Sequence, residues 1–255
     1  MIIENKTIKV EDFTEDNVLK ILDKNILDKA IFFDLEHYLY KKPICVGVFG
    51  AGVYNKEKNE VNTTQYMIEN REDSYQILHM AKKYFKEMKF KGKEYIVTFS
   101  GDNDFFVINY LFEKHFIEYN FEENFKLVDL QTEYEKKYQK NIGLKNLEKL
   151  CNIERKGHVM SGMTLAKTFS KVMRDNKYIN RMPDEKKKRI LNYNQQDVIN
   201  LFHIMKDWEK IKLKDIVKME EKREVEKLLR NENKRNLQEG SYKNQGNSFN
   251  AVFNN

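Results

Sequence analysis

Three groups of residues along the chain have types and spacing that could do chemistry. The first is Asp34 and Glu36, which close the apolar run Ala30 to Glu36 (AIFFDLE). On a strand, residues two apart project from one face, leaving Phe33 and Leu35 for the other. Two neighbouring carboxylates repel one another unless a cation lies between them. Hard oxygen ligands of this kind suit Mg²⁺ or Mn²⁺. The plainer alternative is a strand that has ended, with both acids in water. The second group is Asp104, reached after a strand ending at Phe99 and a Ser100-Gly101 turn. An acid there can also serve only as a favourable charge at a helix start, and Asp102 competes for the role. The third is Tyr193 and Asp197, four apart and therefore on one helix face. Ile190, Val198, Leu201 and Phe202 mark the buried side nearby, and a buried Asp needs a partner or a metal.

The elements that must carry these residues follow from periodicity. A short strand (Thr7 to Val10) and a helix (Asn17 to Leu27) open the chain. Ala30 to Glu36, Ile44 to Tyr54 and Val61 to Ile68 read as an antiparallel meander. A helix over Asp73 to Met88, a strand over Glu94 to Phe99, a helix over Asp104 to His115 and a strand over Phe125 to Leu130 come next. Helical pattern then runs through Leu144 to Cys151, Gly162 to Tyr178 and Asp184 to Trp208. This order predicts an α/β fold with a central mixed five-stranded sheet and helices on both faces. Residues 1–212 form the domain, with its core at about 30–210. A charged helical extension (213–230) and a polar tail (231–255), too poor in apolar residues to order itself, complete the chain.

Taken together and in order, the DxE strand, the strand–turn–Asp–helix and the late helical YxxxD resemble the three motifs of the DEDD exonuclease superfamily. The tyrosine places the resemblance with the DEDDy branch rather than DEDDh. Gly143 to Arg155, Ser161-Gly162 and the segment LNYNQQDVINL look like the bacterial ribonuclease-H-like exonuclease-domain family, over roughly Ala30 to Lys210. Two departures fall at Glu36-His37-Tyr38, where many relatives have Glu-Thr, and at Ser100-Gly101, where relatives often have Asn and Phe before the Asp. The resemblance implies a ribonuclease-H-like fold and 3′–5′ exonuclease activity on DNA or RNA with two divalent ions, Mg²⁺ or Mn²⁺. Asp34 would bridge both ions, Glu36 and Asp197 would complete one site, and Asp104 would hold the other partly through water. Tyr193 would orient the attacking water; an ordinary phenol pKa near ~10 makes it a poor base.

Other residues have weaker claims. His37, beside the acids, could touch a terminal phosphate. Lys145 and Arg155, and the run Lys186, Lys187, Lys188 and Arg189 before the YxxxD motif, could meet a nucleic-acid backbone or be solvated helix faces. Asp129 reads as a turn or cap residue, with a fifth site acid as the alternative. His79, His115, His158 and His203 have no ligand-like spacing. GVFGAG lacks the Lys-Ser or Lys-Thr of a phosphate loop. The net charge of +6 favours a polyanionic partner, though many Lys-rich chains are merely soluble. Cys45 and Cys151 match no metal spacing and read as reduced thiols. No secretory signal and no membrane-length apolar run is seen, so the expectation is cytoplasmic, with no membrane association and protein partners left open. The rival from another class is a nucleic-acid-binding or partner-docking module of the same fold with little turnover. A structure-selective endonuclease is a third reading.

Overall fold

The computed structural model describes residues 1–155, 160–225 and 228–229, and the chain divides into two units, Met1–Lys210 and Ile211–Asn255. The first unit is built on a mixed sheet flanked by helices on both faces. Its strands are β1 (Ile2–Lys9), β2 (Lys20–Ile21), β3 (Lys24–Asn25), β4 (Ala30–Tyr40), β5 (Lys42–Asn55), β6 (Glu60–Met67), β7 (Tyr95–Thr98) and β8 (Lys126–Asp129). Its helices are α1 (Asp73–Phe90), α2 (Asp102–Lys114), α3 (Phe121–Asn124), α4 (Leu130–Tyr138), α5 (Leu144–Leu150), α6 (Gly162–Arg174) and α7 (Asp184–Lys206). In the second unit, residues 213–225 and 228–229 are helical. The expected tail at 231–255 lies outside the described residues.

The sheet order is β1-β6-β5-β4-β7-β8. β4, β5, β6 and β1 are antiparallel neighbours, whereas β7 and β8 run parallel to β4. Two expectations are corrected here. The sheet has six strands, not five, because Ile2–Lys9 pairs along β6 from Ile2↔Met67 to Lys9↔Glu60. The short strand expected at Thr7 to Val10 is the second half of this element, whose first half is hidden in the sequence by Glu4, Asn5 and Lys6; as an edge it buries only part of one face, so polar residues are tolerated. The second correction is the helix expected at Asn17 to Leu27. That segment forms two 3₁₀ turns around the small β2–β3 hairpin, whose corner places Leu22 and Asp23 at positive φ. The pairs Val18-Leu19 and Ile26-Leu27 are buried while Leu22 at the hairpin corner is exposed, and Leu19 N–H donates to Met205 O at 2.8 Å. Tertiary contacts outweigh helical propensity there.

Strict alternation along β4 sends its residues into two different layers. Phe33 faces α1 and α2, with ring centroids 5.3 Å from Phe85 and 6.0 Å from Phe105. Phe32 faces α7, 5.5 Å edge-on to Phe202. Asp34 and Glu36 therefore share the α7 side with Phe32. Parallel pairing with β7 covers only Ala30 to Phe32, so the acids stand just past the point where the neighbouring strand stops. Asp34 and Glu36, midway along β4, thus lie just past the carboxyl end of the parallel strand β7, the side on which open α/β sheets bind ligands. Cys45 and Cys151 are both buried free thiols.

Candidate active site and metal centre

Asp34 is held by a chain of buried amides. Asn194 Nδ2 donates to Asp34 Oδ2 at 2.8 Å, and Gln65 Nε2 donates to Asn194 Oδ1 at 2.7 Å and to Leu191 O at 2.9 Å. With its Oδ1 accepting from Gln65, the Asn194 amide must turn its donor to the carboxylate. The helix can come this close because Asp34 lies opposite Gly50 on β5, where a Cβ would sit 2.1 Å from Asn194 Oδ1. Gly50→Ala is therefore expected to push Asn194 off Asp34. It should cost about 1–3 kcal/mol of stability, as overpacking does, and lower any activity that depends on Asp34. A variant melting like the wild type would refute the close-approach argument.

Asp104 is buried in the first turn of α2, whereas its competitor Asp102 is exposed. The turn before it is pinned by Asp129: Oδ2 accepts from Gly101 N–H at 2.7 Å, while Oδ1 caps α4 through Gln131 N–H at 2.8 Å. Asp129 is thus a cap and tie that sets the start of α2, and its charge also bears on Asp104. On α7, Asp197 is buried and Tyr193 half-buried, one turn apart.

One carboxylate oxygen from each of Asp34, Glu36 and Asp197 lies within 4.8 Å of the others. Asp104 feels the charges of Asp34 and Asp197 but is not part of this tight group. Burial first, then mutual repulsion, pushes these acids upward: Asp34 to about 8, and Glu36 and Asp104 well above the usual carboxylate range. Asp197 rises to about 6; burial drives it up, and Arg155 beside it restrains the rise. Buried acids gathered at such a cost form the donor set a divalent cation takes, and the residues present fit one.

The remaining candidates fall out unevenly. His37 sits beside the acids, its Nδ1 4.0 Å from Asp104 Oδ1 and its Nε2 3.3 Å from Asn103 Nδ2. Burial lowers its pKa, which favours the neutral ring. Arg155 faces inward: its guanidinium bonds Asp197 Oδ1 and both oxygens of Glu148. The phosphate contact expected of Arg155 therefore meets a side chain whose bonds go to buried acids. Lys145 is exposed but close enough for its charge to favour ionised Asp197. Lys186, Lys187, Lys188 and Arg189 occupy the opening turns of α7, with Lys187 Nζ on Asp184 Oδ1 at 2.9 Å. Sequence reasoning missed Asn194, Gln65, Glu148 and Asn200. Asn194, three before Asp197, and Asn200, three after it, carried a helical-spacing signal; Gln65 and Glu148 carried none.

The raised acids make the stability of the metal-free protein depend on pH. The folded protein retains protons that the unfolded chain releases, so stability falls as pH rises toward the folded-state pKa values. His37 and His203, lowered by burial, act oppositely, but only below their ordinary range. In EDTA the melting temperature should therefore drop between about pH 6.5 and pH 8.5, corresponding to on the order of a few kcal/mol. Mn²⁺ should flatten the drop by replacing protons as the compensating charge. Identical profiles with and without Mn²⁺ would dismiss a metal at these acids.

The sequence profile of the RNase_H superfamily matches residues 31–209, and the chain belongs to that family. No curated protein matches it. The protein thus has a ribonuclease-H-like fold with an acidic group able to bind metal, consistent with a metal-dependent hydrolase and with nucleic-acid binding. Among the described residues, no helix is long and apolar enough to cross a membrane.

Proposed function

We propose that the protein is a divalent-metal-dependent nuclease of the DEDDy kind, hydrolysing phosphodiester bonds of DNA or RNA from a 3′ end. The observation that carries this reading is the convergence of Asp34, Glu36 and Asp197 within 4.8 Å, just past the carboxyl end of β7 in a ribonuclease-H-like fold. In this reading they would hold one Mg²⁺ or Mn²⁺, and Asp104, with Asp34, would hold a second. Such ions supply Lewis-acid stabilisation of the phosphate and lower the pKa of a water. The chain's own groups position and shield. Asn194 and Gln65 fix Asp34, and Tyr193, one turn from Asp197, hydrogen-bonds the attacking water. Burial, followed by the charges of Asp197 and Glu36, pushes the Tyr193 phenol well above its ordinary range. It therefore stays protonated and orients without acting as a base. Polarity and the DEDDy assignment are supported by the motif resemblance, and the positive net charge favours a polyanionic substrate.

The test is Mn²⁺-dependent degradation of end-labelled single- and double-stranded DNA and RNA, comparing wild type with Asp34→Ala. Stepwise shortening from labelled 5′ ends by the wild type alone is the expected result. Internal cuts would replace the exonuclease by an endonuclease. No Mn²⁺-dependent cleavage of any of the four substrates would refute the nuclease.

A further inference from the structure

Glu148 on α5 is a buried carboxylate, only 2% exposed, outside the acidic triad. Among the described residues its cationic partner is Arg155. Arg155 Nε donates to Glu148 Oε2 at 2.7 Å and Nη2 to Oε1 at 2.5 Å, a two-point fork. Asn200, on α7 one turn beyond Asp197, donates Nδ2 to Glu148 Oε1 at 2.9 Å. The same Arg155 Nη2 bonds Asp197 Oδ1, and the guanidinium carbon lies 5.4 Å from the centroid of the Tyr193 ring. One planar group thus touches both chemistry-bearing residues of α7, and its own orientation is set by a buried acid behind it.

The charges show what this arrangement is for. An arginine placed only to neutralise Asp197 would have no use for Glu148. Glu148 offsets the added positive charge, so Asp197 is gripped while the acidic group keeps its pull on a cation. A buried ion pair is a poor source of net stability, and a gain in geometric definition is its best-attested return. Outer partners that orient a ligand carboxylate are a general feature of metal sites.

We propose that Arg155, clamped by Glu148 and Asn200, is the positioning residue of the α7 motif: it pins one oxygen of Asp197, presents the other to the cation, and seats the Tyr193 ring. The proposal rests on the reading that Asp34, Glu36 and Asp197 bind a divalent ion.

The experiment is Mn²⁺ titration calorimetry on the full chain, with circular dichroism to verify folding. Wild type should bind Mn²⁺, and Arg155→Ala should bind it about 10–100-fold more weakly, the usual loss for an outer-shell partner. Millimolar guanidinium chloride should restore affinity to Arg155→Ala by refilling the clamp, whereas sodium chloride at equal ionic strength should not. Arg155→Lys should remain impaired, because an ammonium cannot fork across Glu148 and Asp197 together. Should the stranded Glu148 charge unfold Arg155→Ala, the paired change Glu148→Gln with Arg155→Met removes that charge and should show the same weakened binding. Mn²⁺ affinity equal to or tighter than wild type in a folded Arg155 variant would overturn the clamp and make Arg155 a competitor of the cation. Guanidinium that restores nothing to folded Arg155→Ala would overturn it as well. Absence of binding by the wild type would overturn the metal reading, and this proposal with it.

Discussion

Asp34→Asn should reduce metal-dependent hydrolysis by about 10³-fold or more, while the metal-free protein melts at a higher temperature than wild type. The rate loss follows from removing the charge of a proposed metal ligand in the acidic group, where Asp34 carries the joint pressure of burial and of Asp197. Lewis-acid stabilisation is worth several kcal/mol, and each 1.36 kcal/mol or so is tenfold in rate. The stability gain follows from the same fact read the other way. Without a cation, a buried carboxylate must either take up a proton or repel its neighbours. The amide keeps the shape, and its oxygen can still accept from Asn194 Nδ2, so the Gln65–Asn194 chain stays in place. Thermal melts in EDTA and the end-label assay read the two halves separately. Near-wild-type hydrolysis would remove Asp34 from the site. Lost activity with a lowered melting temperature would mean that the carboxylate is structural.

Tyr193→Phe should cost about 10²–10³ in rate, the usual loss for one well-placed hydrogen bond in a preorganised site, while Mn²⁺ affinity barely changes. The ring is held independently of its hydroxyl, because it packs against the Arg155 guanidinium and phenylalanine keeps that contact. Asp197→Asn, one turn along α7, should instead weaken metal binding and activity together. A fully active Tyr193→Phe would leave the tyrosine a packing residue and take the main support from the DEDDy reading. Metal binding lost as badly as in Asp197→Asn would make the hydroxyl part of the ligand scaffold and end its water-orienting role.

How much of this was legible beforehand depends on whether a signal is local. The alternation AIFFDLE determined that Asp34 and Glu36 share one face while Phe33 joins the opposite layer, because the side-chain period of a strand is a property of the backbone. The four-residue step from Tyr193 to Asp197 likewise determined a common helix face. The meander and the later β7–α2–β8 order came from the same kind of pattern, and together they led to a mixed sheet with helices on both faces; the ribonuclease-H-like identity came from the motif resemblance.

The tertiary structure decided what depends on distant partners. It buried Asp104 and left Asp102 in water, since α2's orientation is set by Asp129 gripping Gly101 across 28 residues. Asn194 reaches Asp34 across 160 residues only because Gly50 lets two backbones approach. Arg155 read in sequence as a candidate contact to a nucleic-acid backbone. Only folding placed it between Glu148 and Asp197, because side-chain periodicity says which face a residue takes but not which charge from another element will meet it there.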